Sequence, residues 1–340
     1  MRIPKLTFTA LIVFFFLPLS LFAQEEGGLS LVTSPLPVSI ITEPGKTITT
    51  ELKVKNDGLE TEELQVRLMK FRAYEDSGKP ALEEPDGTEE FLKWVTISES
   101  RFTLASNEWK TVPVTFTPPE SASFGYYYAF VFSRAQENTG NPDGRTTLAG
   151  GNGVLVLLEV AVPNAKKEII LQSFDTNRSI YEFLPVSFSA RLKNTGNVHT
   201  APRGNIFITK KGKEVALLEV NIEKGNILPG SERVFESIWQ DGFIRFIPKK
   251  ENGAVLRDKE GSVDMKLEWN WADAEKLRFG KYTAKLVLVY DNGVRDIPLE
   301  EEVTFWVLPW RIMLAGVFVA LFFLVGIKGT ITSFLRRFQK

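Results

Sequence analysis

The sequence predicts an all-β ectodomain of two tandem Ig-like β-sandwich domains, followed by a single C-terminal transmembrane helix. Three observations predict it. Between residues 24 and 300, short runs of alternating apolar and polar residues recur between turn signals, and no amphipathic helical period stands out. Two short motifs occur twice in the same order. Near the C-terminus, residues 312–327 (IMLAGVFVALFFLVGI) hold no charge.

A spanning helix needs about 20 apolar residues. Counting from Trp306 reaches that length, with the Arg311 stem reaching outward so that its charge meets water. Trp306 and Trp310 fit the aromatic belt of one interface, while Lys328, Arg336, Arg337 and Lys340 follow without an acid, as on a cytoplasmic side. Residues 306–327 are therefore expected to form the helix and 328–340 a basic cytoplasmic tail, with the bilayer as a partner. A buried helix of a soluble protein would show a polar face, which this stretch lacks.

The N-terminus agrees. Arg2 and Lys5 precede an apolar run over residues 6–22, and the small Ala23 stands ahead of Gln24, Glu25 and Glu26. That is the layout of a secretory signal peptide over residues 1–23. The expected location is the cell membrane, single-pass, with the N-terminal ectodomain extracellular or periplasmic and the C-terminus cytoplasmic. The two hydrophobic ends hold seven of the 41 basic residues and none of the 42 acids, which leaves the ectodomain 34 basic against 42 acidic, a net of −8. A surface of that sign excludes nucleic acid as a partner. There is no cysteine, so the domains must be held by their cores, which favours a bacterial surface protein over a disulfide-stapled receptor.

In chain order, strands are expected over residues 29–32, 38–41, 46–55, 63–74, 94–97, 102–104 and 109–116. Residues 124–132 (FGYYYAFVF) and 154–162 (VLVLLEVAV) read as long buried strands. Residues 75–90, rich in acids, Pro and Gly, read as an exposed loop, and residues 138–153 as a glycine-rich one. A first sandwich over 24–163, a polar linker over 164–168 and a second sandwich over 169–305 follow. In the second, strands are expected over 169–174, 186–192, 205–209, 215–220, 233–239, 263–269, 282–290 and 299–306, with an interrupting loop over 241–260.

The sandwiches look duplicated. LKVKNDG at 52–58 matches ARLKNTG at 190–196, and FGYYYA at 124–129 matches FGKYTA at 279–284. In the second pair Gly125 aligns with Gly280 and Tyr127 with Tyr282, whose hydroxyl is expected to tie down a neighbouring loop.

Catalytic constellations are weak. His199 is the single histidine, so neither a multi-His metal site nor a second imidazole base is available, and its place between Asn197 and Pro202 suits turn packing. No Gly-x-Ser-x-Gly elbow and no phosphate-cradling loop occurs. The acid pairs Glu83-Glu84 and Glu89-Glu90 fall in a charged loop without EF-hand spacing. The expectation is a protein that is not an enzyme and takes no cofactor or metal. Long loops in a compact domain are often functional, which makes Gly140, Asp143, Arg145, Gly150 and Gly151 the candidate binding residues.

The layout of signal peptide, two Ig-like modules, one C-terminal helix and short basic tail resembles the bacterial WxL-interacting protein family. The likeness is carried by TEPGKTITTELKVKNDG at 42–58 and by FGYYYAFVF, the glycine loop and VLVLLEVAV in the first module. The resemblance implies a membrane-anchored cell-surface protein that binds peptidoglycan or other cell-surface proteins. The alternative is a membrane-tethered, chaperone-like assembly factor for surface or secreted proteins, which would offer a sheet edge to its client.

Overall fold

In the computed structural model, which describes residues 28–135 and 151–338, the alternating runs become strands. The first module holds β1 (Leu31–Ser34), β2 (Val38–Thr42), β3 (Ile48–Asn56), β4 (Glu62–Tyr74), β5 (Lys79–Glu83), β6 (Val95–Ile97), β7 (Arg101–Leu104), β8 (Trp109–Phe116), β9 (Phe124–Arg134) and β10 (Gly151–Val160). One sheet runs β1-β3-β8-β6; the other runs β2-β10-β9-β4-β5, with β7 beside β4. The second module holds β11 (Ile169–Thr176), β12 (Ile180–Tyr181), β13 (Val186–Asn194), β14 (Arg203–Lys210), β15 (Lys213–Val220), β16 (Glu232–Trp239), β17 (Ile244–Pro248), β18 (Lys250–Glu251), β19 (Ala254–Val255), β20 (Met265–Trp269), β21 (Gly280–Asp291) and β22 (Asp296–Val307). Its sheets are β11-β13-β16 and β12-β22-β21-β14-β15. In both modules an early strand lies parallel to the last one, β2 along β10 and β12 along β22. The chain is thus two Ig-like β-sandwiches and one C-terminal apolar helix, α1 (Trp310–Phe338).

Alternation sets the cores. Leu52 and Val54 on β3 face Tyr128, Phe130 and Phe132 on β9 across the first sandwich. Ala190 and Leu192 on β13 face Tyr282, Ala284 and Leu286 on β21 across the second. The Lys-Asn-x-Gly repeat closes each sandwich with the same polar hub. Asn56 donates from Nδ2 to the carbonyls of Glu60 (2.7 Å) and Leu104 (3.1 Å) and accepts from Gly58 N–H (2.9 Å). Asn194 donates to Val198 and Ile227 (both 2.8 Å) and accepts from Gly196 N–H (2.8 Å). Both are fully buried, with both amide hydrogens donated and the carbonyl oxygen accepting.

The second repeat holds only in part. Aligned on Phe-Gly, Tyr127 would match Tyr282, yet the two lie on opposite faces of their strands. Tyr282 is in its sandwich core, and its hydroxyl accepts from Phe279 N–H (3.0 Å). The residue making that bond in the first module is Tyr126, which accepts from Ser123 N–H (3.2 Å). Tyr127 instead faces the second module. Because side chains alternate along a strand, a one-residue offset exchanges the two faces.

Three expected loops or bounds change. Five of the sixteen residues of the acidic loop over 75–90 are strand: β5 pairs with β4, and the loop's acids meet cations, Glu83 on Arg72, Glu84 on Arg67 (3.1 Å) and Glu89 on Lys70. The interrupting loop over 241–260 contains β17, β18 and β19; β18 pairs with β19, and β17 pairs with β20 to form a hairpin. The helix does not begin at Trp306. That residue is in β22, where its N–H donates to Ser179 (2.9 Å), and α1 starts at Trp310. Residues 310–328 still make 19 apolar-rich positions, about 28 Å of helix at 1.5 Å per residue, close to a hydrocarbon core. Helix also replaces most of the expected tail, carrying Lys328, Arg336 and Arg337. The signal-peptide assignment lies outside the described residues.

The hubs make a stability prediction. Asn194→Ala leaves the Val198 carbonyl and the Gly196 amide without their partner and the Ile227 carbonyl with Thr200 N–H alone, at a cost of about 2–3 kcal/mol. The full chain in detergent is expected to melt several degrees lower, measured by tryptophan emission, and Asn56→Ala is expected to do the same.

Candidate functional site: the cleft between the modules

An antiparallel sheet usually buries one face and wets the other. The β10-β9-β4 part of the first module is apolar on both. Its outer face carries Met69, Phe71, Tyr127, Ala129, Val131, Leu155 and Leu157, and Leu228 of the second module packs against it. The turn between β4 and β5 reaches over as well. The Asp76 carbonyl accepts from Val234 N–H (2.8 Å), and its carboxylate meets Arg191 (2.6 Å).

The expected linker is stitched down. Lys166 N–H donates to Asn197 Oδ1 (2.6 Å), Asn197 N–H donates to the Lys166 carbonyl (2.8 Å), and Lys167 pairs with Glu159 (2.9 Å). A Cβ on Gly196 would collide with the Lys166 carbonyl, so the second module's Asn-Thr-Gly turn needs its glycine for this close approach.

His199 is at this seam, edge-on to Tyr127 with ring centroids 5.8 Å apart. It is only 8% exposed. Burial, and then the charge of Lys167, bring its pKa down to about 4, so it is neutral at pH 7. Turn packing, as expected from the sequence, is its structural role.

The two modules do not close completely. Between them lies a cleft of about 710 Å³. Its apolar wall comes from the first module: Leu36, Phe71, Leu155 and Leu157, with Leu228 opposite. Leu36 is 57% exposed there. Arg233 of β16 supplies the cation. Its side chain stacks over Phe235 at 5.0 Å and donates to the Asn226 carbonyl (3.0 Å). Its guanidinium lies against Gly78 of the first module and Gly225 of the second, where an added Cβ would displace it. Gly78 also has left-handed backbone, with φ +70°, which favours glycine there. Among the described residues no carboxylate stands within ion-pair distance of Arg233. Burial draws its pKa below the ordinary value, against the opposing charge of Glu223, and an arginine so perturbed still remains protonated. The site therefore offers a half-buried cation at the rim of an apolar cleft.

The sequence pointed elsewhere. Gly140, Asp143, Arg145 and Gly150 lie outside the described residues. Gly151 is not in a loop: it opens β10 opposite Ser133. Gly153, also expected in the loop, is in β10 and lines the cleft. Arg311, expected in the membrane anchor, turns toward the second module, over the Trp310 ring and 3.5 Å from Glu182. Arg233 was missed because an arginine in an alternating strand reads as a solvated position. Among the described residues, no group of three or more His, Cys, Asp and Glu side chains is placed to hold a metal.

The His199 environment carries a pH prediction. Its folded pKa is depressed, so above about pH 6.5 its contribution to stability is fully present. Between about 6.5 and 4 the unfolded chain takes up a proton that the folded chain refuses, and up to about 3 kcal/mol is lost. The melting temperature is expected to fall over that range more steeply in the native chain than in His199→Gln.

No family model matches the chain, and no curated protein matches it in sequence. Among solved structures it is similar to the class 5 fimbriae chaperone CfaA, at 10% identity, covering 80% of this chain and 98% of that one with a TM-score of 0.36. It is similar to the YadV chaperone at 12% identity, covering 80% and 99%, TM-score 0.35. It is also similar to the CupB2 chaperone of Pseudomonas aeruginosa at 10% identity, covering 81% and 100%, TM-score 0.33.

Proposed function

We propose that the chain is a non-enzymatic, membrane-anchored surface protein that binds an extended segment of a partner protein in the cleft between its modules. The observation that carries this reading is Arg233, a half-buried cation set beside an apolar wall and held by two glycines. A segment with one apolar side chain and one carboxylate complements it: the side chain covers Leu36, Leu155 and Leu157, and the carboxylate takes a charge-assisted bond from the guanidinium. β5 is the last strand of its sheet, and Lys79, Pro80 and Leu82 line the cleft. An open edge there suits a peptide in extended form. It also favours the second reading, an assembly factor that would release such a segment after holding it. The place on a bacterial cell surface, and kinship with WxL-interacting proteins, are proposals of the same reading.

The test uses the full chain in nanodiscs, a library of extended peptides with free carboxylates, and purified peptidoglycan in a parallel arm. Arg233→Ala is expected to weaken peptide binding about tenfold or more, the loss of one charge-assisted hydrogen bond. Leu36→Asp is expected to weaken it without lowering the melting temperature. Peptide binding unchanged in both variants, or binding to peptidoglycan alone, would sink the cleft as the site.

A further inference from the structure

The hairpin of β17 and β20 is the part of the second module that the sandwich does not explain. Its pairing sets Ile244 opposite Trp269, Phe246 opposite Leu267 and Pro248 opposite Met265. One face is therefore apolar throughout, while Arg245 and Glu268 pair on the other (2.7 Å). The apolar face is covered only in part: Ile244 is buried and Phe246 half-buried, but the β20 side is open. Met265, Leu267 and Trp269 are exposed, and so are Trp271, Leu277 and Phe279 in the segment that returns to the sandwich. Trp271 is 74% exposed, although its ring and that of Trp269 both pack on Phe243, at 5.1 and 5.5 Å. A two-stranded ribbon with this much of its apolar face open is marginal in water by itself.

Its position identifies what covers it. Phe279 precedes Gly280, and Gly280 pairs with Val307 at the last rung of the β21–β22 ladder. The helix starts three residues after Val307. With strands about 5 Å apart and at most about 3.5 Å per residue, Phe279 lies within roughly 20 Å of the first helical residue. A short strap joins the hairpin to the anchor directly. The Tyr181 carbonyl accepts from Leu308 N–H (2.7 Å), and Glu182 meets Arg311 at 3.5 Å. Next along the strap, Phe183 packs on Phe246 at 5.9 Å, and the Leu184 carbonyl accepts from Phe246 N–H (2.7 Å). Tryptophan and phenylalanine at the level where a helix leaves its domain are the side chains that partition into a lipid interface.

We infer that the β17–β20 hairpin and the segment after it form a second membrane contact, which seats Trp269, Trp271, Leu277 and Phe279 in the headgroup layer of the leaflet that α1 enters. The occupant of the open face is the lipid surface. This rests on the reading of α1 as a membrane span. Two membrane contacts joined by a hydrogen-bonded strap would hold the second module at one orientation to the bilayer.

The chain has no cysteine, so one introduced thiol can be labelled alone. Trp271→Cys and Val294→Cys, each in the full chain, take an environment-sensitive fluorophore. Val294 is 90% exposed in the turn at the far end of β21 and β22. After reconstitution into phosphatidylcholine–phosphatidylglycerol vesicles, flotation reports whether α1 holds the chain in the membrane. In the floated fraction the probe at 271 is expected to emit to the blue of the probe at 294 and to be several-fold less quenched by aqueous iodide. A floated chain whose probe at 271 is as accessible as that at 294 would overturn the second contact and leave the anchor standing. A chain that does not float would overturn both. Shielding at 271 that appears only at high protein-to-lipid ratio would assign the face to a second copy instead. Trp269→Cys repeats the measurement if the change at 271 disturbs the melting temperature.

Discussion

The arrangement of the two modules depends on a sheet that is apolar on both faces. The inner face of β9 and β10 closes the first sandwich, and the outer face is pressed on the second module through Leu228. Removing both faces from water is favourable at about 25 cal/mol per Å² of apolar surface, and this fixes how the modules sit. The tied linker and the Asp76 contacts then add direction to a contact that is otherwise without one. Where the two surfaces diverge, the uncovered end of the same apolar face becomes the wall of the cleft. The seam and the cleft are two parts of one surface.

Around that seam the two modules keep a common plan and diverge where contact demands it. Asn56 and Asn194 make equivalent buried hubs, because each must satisfy the chain where a central strand ends in a turn. The closing strands share an equivalent tyrosine bond, Tyr126 and Tyr282, at the strand entrance. Tyr127 has no such counterpart in the second core. It belongs to the outer face of the first module, which the second module covers. There it meets His199, and the cost of charging that buried imidazole ties the integrity of the seam to pH.

At the other end, the second module runs into the helix with almost no slack. β22 ends at Val307 and α1 begins at Trp310. The same few residues bond to the strap that carries the aromatic hairpin. A long flexible stalk would leave helix and module independent; here the link is short and hydrogen-bonded, which ties the direction of α1 to the second module.

Much of this was legible along the chain. Period-two alternation marked most of the strands, since a half-buried strand has to alternate. The unbroken apolarity of FGYYYAFVF and VLVLLEVAV marked β9 and β10 as buried strands, and the uncharged run before Lys328 marked the helix. The Lys-Asn-x-Gly repeat marked two related sandwiches. The sequence could not show what covers the outer face of β9, because that partner, Leu228, is about a hundred residues away. It placed Tyr127 with Tyr282 because letters align without regard to which face of a strand they occupy. It passed over Arg233, whose guanidinium gains meaning only from Gly78 in the other module, and it took β17 for a loop because a short strand shows its role only beside β20. Local periodicity is written residue by residue, whereas the cleft and the open face of the hairpin exist only where distant segments meet, and that was decided by tertiary structure alone.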